Sequence, residues 1–346
     1  MTPDYEICNP LKDPDWDAKV KAFPEGSGFH SLQWTRVLQD SYGYIPCYLV
    51  FGDRDAPAAI IPMMEIRSFL TGIRGVSLPF SDNCPPLLNG SADRKKVIDA
   101  IFSYGRSAGW KEVEFRGGDL LVDTLSPSTW YYRHRLSLQH DSDSLFATLR
   151  HSTRNNVRKA QKSGVVITKG RESEDMEKFY KLNVQTRKKH GLPPQPLSFF
   201  RKFHEHIIAP GQGSIVTAHY NGQCISGVIC MEFGDTVILK YAAAAVDSLG
   251  VRPNNLLIWE LIQRYRDEKF QTIDFGRTDP QNEGLRRFKN SWNVEETVFS
   301  YFKFDLEKNT SVAQHLYSTD IASAVFRVMP GPLLRLVGKV LYRHIG

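Results

Sequence analysis

Residues 214–233 read Ser-Ile-Val-Thr-Ala-His-Tyr-Asn-Gly-Gln-Cys-Ile-Ser-Gly-Val-Ile-Cys-Met-Glu-Phe and are the strongest guide to the fold. Two apolar runs flank Asn221-Gly222, a pair whose backbone readily takes the left-handed conformation of a tight hairpin turn. A helix is predicted downstream over Asn255–Glu268, and a strand over Phe270–Asp279. The stretch therefore predicts a hairpin that is followed by a helix and a further strand.

The same order of elements occurs in the first third of the chain, which indicates an internal repeat. Two strands joined by a polar turn, a helix and a last strand are predicted over Pro46–Phe51, Ala58–Met64, Asp93–Ser107 and Trp110–Asp119. Glu114 and Asp274 lie 160 positions apart (274 minus 114), and each precedes a Phe and a glycine-containing loop. We interpret the repeat as a duplicated α/β domain, with mixed sheets flanked by helices.

The repeat divides the chain into a first domain over residues 1–140, a second over 141–310 and a helical segment over 311–346. Within that segment, residues 321–345 carry many apolar side chains together with Arg327, Arg335, Lys339 and Arg343. Met329-Pro-Gly-Pro interrupts them, so two short amphipathic helices are predicted. Such helices pack against a globular core or, alternatively, lie on an anionic membrane surface.

Composition places the chain among globular proteins, with 41% apolar and 24% charged residues in a length of 346. The net charge of +6 is compatible with a phosphorylated partner but does not require one. Five scattered cysteines form no Cys-x-x-Cys pair, which disfavours a disulfide framework or a zinc site. No apolar run reaches the ~20 residues of a membrane span, and the N-terminus lacks a secretory signal. We expect a cytoplasmic protein, with peripheral contact at the inner membrane as an alternative.

Motifs of several common enzyme classes do not occur in the sequence. We find no Gly-x-Ser-x-Gly, no Gly-x-x-x-x-Gly-Lys-Ser/Thr, no His-Glu-x-x-His and no dinucleotide fingerprint after a strand. Hydrolase, NTPase, zinc protease and dehydrogenase functions are therefore excluded. His204 and His206 flank Glu205, but neighbouring positions on a helix point to different faces, so no metal site is predicted.

Residues 240–292 concentrate chemically distinctive side chains at predicted strand ends and loops. Tyr241 precedes small alanines and could donate a hydrogen bond to a ligand, or could be a half-buried strand residue. Asp274-Phe-Gly-Arg-Thr-Asp ends a strand where α/β sheets often bind ligands, and Arg277 would anchor an anion there. Lys289 lies between Phe288 and Trp292, so its ammonium could stabilise a developing oxyanion, or could be a surface charge.

A basic helix is predicted over Asp143–Ser163, between the two repeats. Seven cations and no acidic residue occur over residues 150–171. Arg154 and Arg158 are four positions apart and thus share one helix face, where they could contact phosphate or simply remain solvated.

Several motifs along nearly the whole chain resemble the FemAB family of peptidoglycan-bridge aminoacyltransferases and related GNAT-like acyltransferases. They are Phe29-His-Ser-Leu-Gln-Trp, Val76-Ser-Leu-Pro-Phe, Arg154-Asn-Asn-Val-Arg-Lys-Ala with Gly164-Val, Tyr241-Ala, Pro253-Asn, Asp274-Phe-Gly-Arg and Gly284-Leu-x-x-Phe-Lys-x-x-Trp. The chain is most similar to the FemAB-like proteins associated with exosortase (PEP-CTERM) systems. The resemblance implies two tandem GNAT-like domains that transfer an aminoacyl group from aminoacyl-tRNA to an amine of a cell-envelope precursor, without a metal or bound cofactor.

The resemblance also places the site. It implies catalytic roles for Lys289 and Tyr241, near the acceptor and the transferred group. The substrate-binding residues predicted from the patterns and the resemblance are Phe288, Arg277, Asp274, Asn254, Arg154, Arg158 and Trp292.

Departures from the family pattern leave the substrates open. Leu38, Gln195 and Phe199 stand where a characterised member has lysine, arginine and tyrosine, which disfavours a UDP-linked acceptor. The long helical arm of some members is missing between residues 172 and 210. Gly250-Val-Arg-Pro-Asn-Asn occupies the position of the pyrophosphate loop of acetyl-CoA enzymes, and Pro253 removes one amide donor there. This loop therefore favours an aminoacyl or acyl ester donor over CoA.

Two classes of function are therefore predicted. The first is an acyl or aminoacyl transferase of peptidoglycan or exopolysaccharide metabolism, whose donor is aminoacyl-tRNA or acyl-CoA and whose acceptor is an amine. The second is a non-catalytic adaptor that binds an anionic membrane or a glycan carrier.

Overall fold

The computed structural model describes residues 5–90, 92–118, 125–139, 141–313 and 320–346. Its described residues form two compact units. The first unit combines Met1–Tyr131 with Val298–Leu316 and Val340–Gly346, and the second combines Tyr132–Thr297 with Tyr317–Lys339. Each unit is thus assembled from segments that are distant in sequence.

The elements before residue 140 alternate short strands with three helices. The helices are α1 (Trp16–Lys21), α2 (Leu32–Tyr42) and α3 (Arg94–Ser107). The strands are β1 (Tyr5–Cys8), β2 (Ile45–Pro46), β3 (Tyr48–Gly52), β4 (Pro57–Ile61), β5 (Met64–Ser68), β6 (Gly72–Val76), β7 (Leu87–Leu88), β8 (Glu112–Arg116) and β9 (Thr129–Ser137).

The elements after residue 140 are longer. The helices are α4 (Ser142–Thr148), α5 (His151–Lys162), α6 (Ser173–Lys189), α7 (Leu197–Phe203), α8 (Pro253–Asp267), α9 (Glu283–Asn290), α10 (Asp320–Val328) and α11 (Gly331–Ile345). The strands are β10 (Val166–Gly170), β11 (Gly213–Tyr220), β12 (Gln223–Phe233), β13 (Thr236–Ala244), β14 (Thr272–Thr278), β15 (Glu295–Asp305) and β16 (Thr310–Ser311).

The first unit contains two sheets around an apolar core. Strands pair in the order β1-β3-β4-β7 in one sheet, and in the order β15-β8-β6-β5-β2 in the other. The second arrangement is mixed, because β6 and β8 are parallel while the other pairs are antiparallel. Val97, Ile101 and Phe115 are among the core residues that α3 and the strands bury together.

The second unit is built on a mixed sheet with helices on both faces. Its strands pair in the order β10-β11-β12-β13-β14-β9, and only the β13–β14 pair is parallel. Val228 and Cys230 of β12 join a core cluster with Leu257 and Leu261 of α8. On the opposite face, a Cβ at Gly227 would lie 3.0 Å from Phe179 of α6. The predicted α/β class, with mixed sheets flanked by helices, is confirmed.

The Asn-Gly hairpin and the element order around it are confirmed. Tyr220 pairs with Gln223, while Asn221 and Gly222 take φ values of 50° and 74°. Two positive values in sequence are those of a type I′ turn, which matches the twist of the joined strands. The predicted helices and strands that follow each hairpin are α3, β8, α8 and β14, although residue 119 of the earlier strand prediction lies outside the described residues.

Two details of the sequence interpretation are wrong. The helix predicted over residues 143–163 is divided into α4 and α5, because Leu149 and Arg150 have extended backbone with ψ near 148° and 141°. This bend accompanies the burial of the Leu149 side chain in the core. In addition, the first predicted hairpin, β3–β4, belongs to a different sheet from β8, whereas β11–β12 shares a sheet with β14. The two repeats therefore differ in whether the hairpin shares a sheet with the last strand of the repeat.

The helical segment at residues 320–346 has the predicted interruption. α10 and α11 are separated at Met329-Pro330, as the proline pattern requires. Among the described residues, no helix combines the length and the apolar character needed to cross a bilayer.

Candidate functional site

The parallel strands of the second unit separate toward their carboxyl ends. Their pairing covers Thr236–Ile238 with Thr272–Asp274, although β13 continues to Ala244 and β14 to Thr278. A register irregularity occurs in β14 opposite β9, and Gly276 there has φ 69°. Such a bulge bends a strand locally, and β14 is not paired with β13 beyond Asp274. A gap between two parallel strands results.

A cavity of about 310 Å³ lies beside this gap, at the end of β13. Most of its walls are apolar or small side chains, and polar groups come from α6, β12 and the start of α8. It is lined by Thr186, Lys189, His190, Ser226, Val228, Ala242, Ala243, Ala244, Leu249, Asn254, Leu257, Ile258, Leu285 and Phe288. Convergent polar groups over an apolar floor are typical of a small-molecule site.

The backbone of β13 faces this region with its polar groups directed away from β12. Ala244 N–H donates to Thr186 Oγ1 at 3.2 Å, and Thr186 Oγ1 donates to the Ala244 carbonyl at 3.3 Å. Backbone groups two residues apart on a strand point the same way, so the amide and carbonyl of Ala242 also point away from β12. The methyl side chains of the alanines leave room for a ligand to approach this backbone.

The start of α8 is fixed to the strands beside the cavity. Ser226 Oγ lies 2.6 Å from Asn254 Oδ1, to which it donates, and 3.3 Å from the Ala243 carbonyl. The preceding residue of the helix, Pro253, is at the first helical position, where a missing N–H costs no helix hydrogen bond. Arg252 before it takes a left-handed conformation with φ 58°. This tight entry holds Asn254 at the cavity wall.

His190 and Lys189 bring titratable groups to the cavity from the end of α6. Partial desolvation at the cavity wall lowers the pKa of His190, which is otherwise exposed, below its ordinary value of 6.5, and the charges of Lys189, Arg187 and Arg327 act in the same direction. The imidazole is therefore neutral at neutral pH and able to accept a proton.

Lys289 is buried and attaches α9 to the end of β14. Its Nζ donates to the carbonyl oxygens of Gly276 at 2.8 Å and Arg277 at 3.1 Å. Asn282 caps the start of the helix, and its side chain accepts from Leu285 N–H at 3.1 Å. Phe288 is thereby held at the cavity wall, next to Lys289 in the chain.

A network around Glu296 fixes the other side of α9. The Glu296 carboxylate accepts from Arg286 at 2.6 and 2.9 Å and from Asn290 at 2.7 Å, and His134 Nε2 lies 3.0 Å away. The hydrogen bond from Arg286 is the largest cause that lowers the pKa of Glu296 from 4.5 to about 2. Burial, together with the charge of Lys289, lowers the pKa of His134. α9 is therefore fixed to β9 and β15.

The predicted site residues occupy several distinct places. Asn254 and Phe288 line the cavity, and Lys289 follows Phe288 on α9. Tyr241 packs against three rings of α7, whose centroids lie 5.3–6.3 Å away at Phe199, Phe200 and Phe203. Trp292 is fully buried in the core of the second unit.

The remaining predicted residues are ionic. Asp274 is buried, accepts from Arg133 Nε at 2.8 Å and accepts from Gly276 N–H at 2.8 Å. It thus holds the β14 bulge, while Arg277 is exposed. Arg154 is half-buried on α5, and the exposed Arg158 lies over the Phe146 ring at 5.6 Å. None of these four ionic residues belongs to the described lining of the cavity.

Sequence analysis missed Thr186, His190 and Ser226. Thr186 and His190 reach the cavity because α6 packs on the sheet, which no local pattern reveals. In the sequence, His190 comes directly before Gly191-Leu-Pro-Pro, where the prolines prevent a helix from continuing. A titratable residue at a helix end is thus the signal by which His190 could have been found. As to metals, no group of three or more His, Cys, Asp or Glu side chains suited to an ion occurs among the residues that the structure describes.

Comparison with known proteins finds one matching domain family. Residues 147–290 match the family described as an acetyltransferase (GNAT) domain. This range contains β13, α8, β14, α9 and every residue that lines the cavity. No curated protein matches the sequence.

Solved structures show the same fold at low sequence identity. FemX superposes with a TM-score of 0.67 at 13% identity, over 85% of this chain and 96% of that chain. L-PGS from Bacillus licheniformis gives 0.55 at 12% identity, over 96% and 99%. A tandem GNAT protein from the clavulanic acid biosynthesis pathway gives 0.56 at 8% identity, over 87% and 98%. The predicted tandem GNAT-like fold is confirmed, and within it residues 147–290 match the acetyltransferase (GNAT) domain family.

Proposed function

We propose that the second unit transfers an uncharged acyl group from an activated thioester or ester to an amine. One observation carries this proposal: β13 and β14 separate beside a cavity whose walls combine apolar side chains with backbone polar groups. A thioester chain can lie along the exposed backbone of β13 while its acyl group occupies the apolar walls. The match of residues 147–290 to a GNAT domain supports acyl transfer as the reaction.

The chemistry of the walls favours acyl-CoA over aminoacyl-tRNA as the donor. An aminoacyl ester carries an ammonium group, which needs a carboxylate or several acceptors when it leaves water. None of the described lining residues is acidic, and Lys189 would repel a second cation. Val228, Leu257 and Phe288 instead offer apolar surface to an uncharged chain. As the acceptor we propose an amine of a cell-envelope precursor, following the FemAB resemblance.

In the proposed reaction, the acceptor nitrogen attacks the acyl carbonyl carbon, and the bond from that carbon to the leaving sulfur or oxygen breaks. His190 accepts the proton that the amine loses, since its lowered pKa keeps it neutral. Holding the two reactants together supplies most of the acceleration. Lys289 positions Phe288 by fixing α9, and its oxyanion role stays a prediction.

Isothermal titration with acetyl-CoA, decanoyl-CoA and a charged tRNA tests the donor. We expect saturable binding of an acyl-CoA that Ala242→Phe weakens at least tenfold, because the ring fills the space beside the β13 backbone. Ala147→Phe, at an exposed position on α4, is the matched control and should bind normally. Binding of charged tRNA alone, with the acyl-CoAs inert, would refute the donor assignment.

A further inference from the structure

α10 and α11 expose apolar side chains to solvent. Val325 and Val328 of α10 are 48% and 81% exposed, and Leu333 and Leu336 of α11 are 48% and 57% exposed. Isolated exposed apolar residues are ordinary, but these four lie within one stretch of the sequence, residues 325–336, on two consecutive helices. We refer to these four residues as the apolar stripe.

α10 and the part of α11 up to Lys339 belong to the second unit and pack on it, so the stripe is not an unpacked core face. Leu334 is completely buried. A Cβ at Gly338 would lie 2.0 Å from the carbonyl oxygen of Pro194, and one at Gly191 would lie 2.5 Å from that of Ser323. These close backbone approaches show that α10 and α11 already use one face for packing.

Helical geometry separates three faces of α11. Leu334 and Gly338, four positions apart, face the protein. Leu333 and Leu336 lie on an exposed face, which Val340 continues at 50% exposure. The exposed cations Arg335 and Lys339 lie between them on the helix circumference. The helix therefore has a buried face, a basic face and an exposed apolar face.

Charge indicates what this surface binds. Arg327 of α10 is also exposed, and residues 322–346 contain no Asp or Glu. A second copy of the chain would bring the same cations against each other, which disfavours a symmetric dimer through this face. An anionic bilayer accepts apolar side chains at its acyl boundary and cations at its headgroups.

We propose that α10 and α11 form a peripheral binding surface for anionic phospholipid bilayers. The apolar stripe enters the interface, while Arg327, Arg335 and Lys339 contact lipid phosphates. This inference goes beyond the proposed acyl transfer and is independent of it, because it uses no residue of the cavity.

Co-sedimentation with vesicles tests the surface. The intact protein should bind vesicles of phosphatidylcholine and phosphatidylglycerol at 3:1 much more tightly than vesicles of phosphatidylcholine alone. Raising salt from 0.05 to 0.5 M should weaken that binding, since the Debye length shortens. Failure to bind either vesicle, or equal binding to both, would overturn the proposal.

Matched variants locate the binding. The double variant Leu333→Gln/Leu336→Gln should lose at least tenfold in vesicle affinity, whereas Val166→Gln, at a 58% exposed site on β10, should not. Arg335→Gln/Lys339→Gln should lose about tenfold or more, since each cation near an anionic surface contributes roughly fivefold. Lys159→Gln/Lys162→Gln on α5 is the charge control.

The substituted side chains are exposed, so all variants should keep the circular dichroism and melting temperature of the parent. Equal vesicle affinity in each variant and its control would refute the location. Sedimentation velocity tests the alternative occupant. If the intact protein does not bind vesicles but forms a dimer that Leu333→Gln/Leu336→Gln abolishes, the surface binds a second copy of the chain and the proposal is refuted.

Discussion

Replacing Glu296 with glutamine should destabilise the second unit by an amount that depends on pH. The carboxylate joins Arg286, Asn290 and His134, and these contacts lower its pKa from 4.5 to about 2. At about 1.36 kcal/mol per pH unit, that interval corresponds to about 3.4 kcal/mol. The Arg286 side chain is 38% exposed and that of Glu296 21%, so solvent screening reduces the expected loss to about 2 kcal/mol.

The sign of the pH dependence follows from the lowered pKa of Glu296. The stabilisation that the Glu296 carboxylate provides is fully present above pH 4.5, where this carboxyl is also ionised in the unfolded chain. It is lost as the pH falls toward 2. The stability difference between the parent and Glu296→Gln should therefore be largest at pH 7 and less than half as large at pH 3.

Urea unfolding followed by tryptophan fluorescence at both pH values measures this difference through the transition midpoint. Glu295→Gln, at an exposed neighbouring position on β15, is the control and should change stability little at either pH. Equal midpoints for Glu296→Gln and Glu295→Gln at pH 7, or a difference that does not shrink at pH 3, would refute the reasoning.

Three further outcomes are expected. An NMR titration should place the His190 midpoint below 6.5, and Arg327→Gln should raise it, because a charge that disfavours the imidazolium is removed; an unmoved midpoint would contradict this. Gly338→Ala should destabilise the protein by about 1–3 kcal/mol through a clash with a loop carbonyl, whereas Gly331→Ala, with only an ordinary 3.8 Å contact, should not. Lys289→Met should lower the melting temperature, because two β14 carbonyls lose their buried donor at a cost of about 1–3 kcal/mol; an unchanged melting temperature would show that water replaces the ammonium.

Local chemistry explains why much of the fold could be predicted. Asn221-Gly222 specifies its turn by backbone preference, and Pro330 interrupts the last helices by removing a donor and a helical conformation. The bend at Leu149 could not be predicted, because the sequence around it has helical spacing and only core packing bends the chain. Likewise, no local signal places β3 and β4 in a separate sheet from β8.

The site was predicted less completely, for a related reason. Asn254 and Phe288 line the cavity and were found because they lie in distinctive motifs. Asp274 and Trp292 lie in the same motifs, yet one holds a bulge and the other fills the core. A residue in a motif can be required either for the fold or for ligand binding, and a single sequence does not distinguish the two. His190 reaches the cavity only through the packing of α6.

The division of the first unit into distant segments has a consequence for synthesis on the ribosome. β15 pairs with β8, but Val298 follows Tyr131 by 167 positions (298 minus 131). At roughly 5–20 residues per second, β8 emerges about 10–30 s before its partner strand is made. Throughout that interval one edge of β8 offers unpaired backbone groups to other nascent chains. Residues 132–297, the larger part of the second unit, can collapse during that interval, before the strand that completes the sheet of the first unit is made.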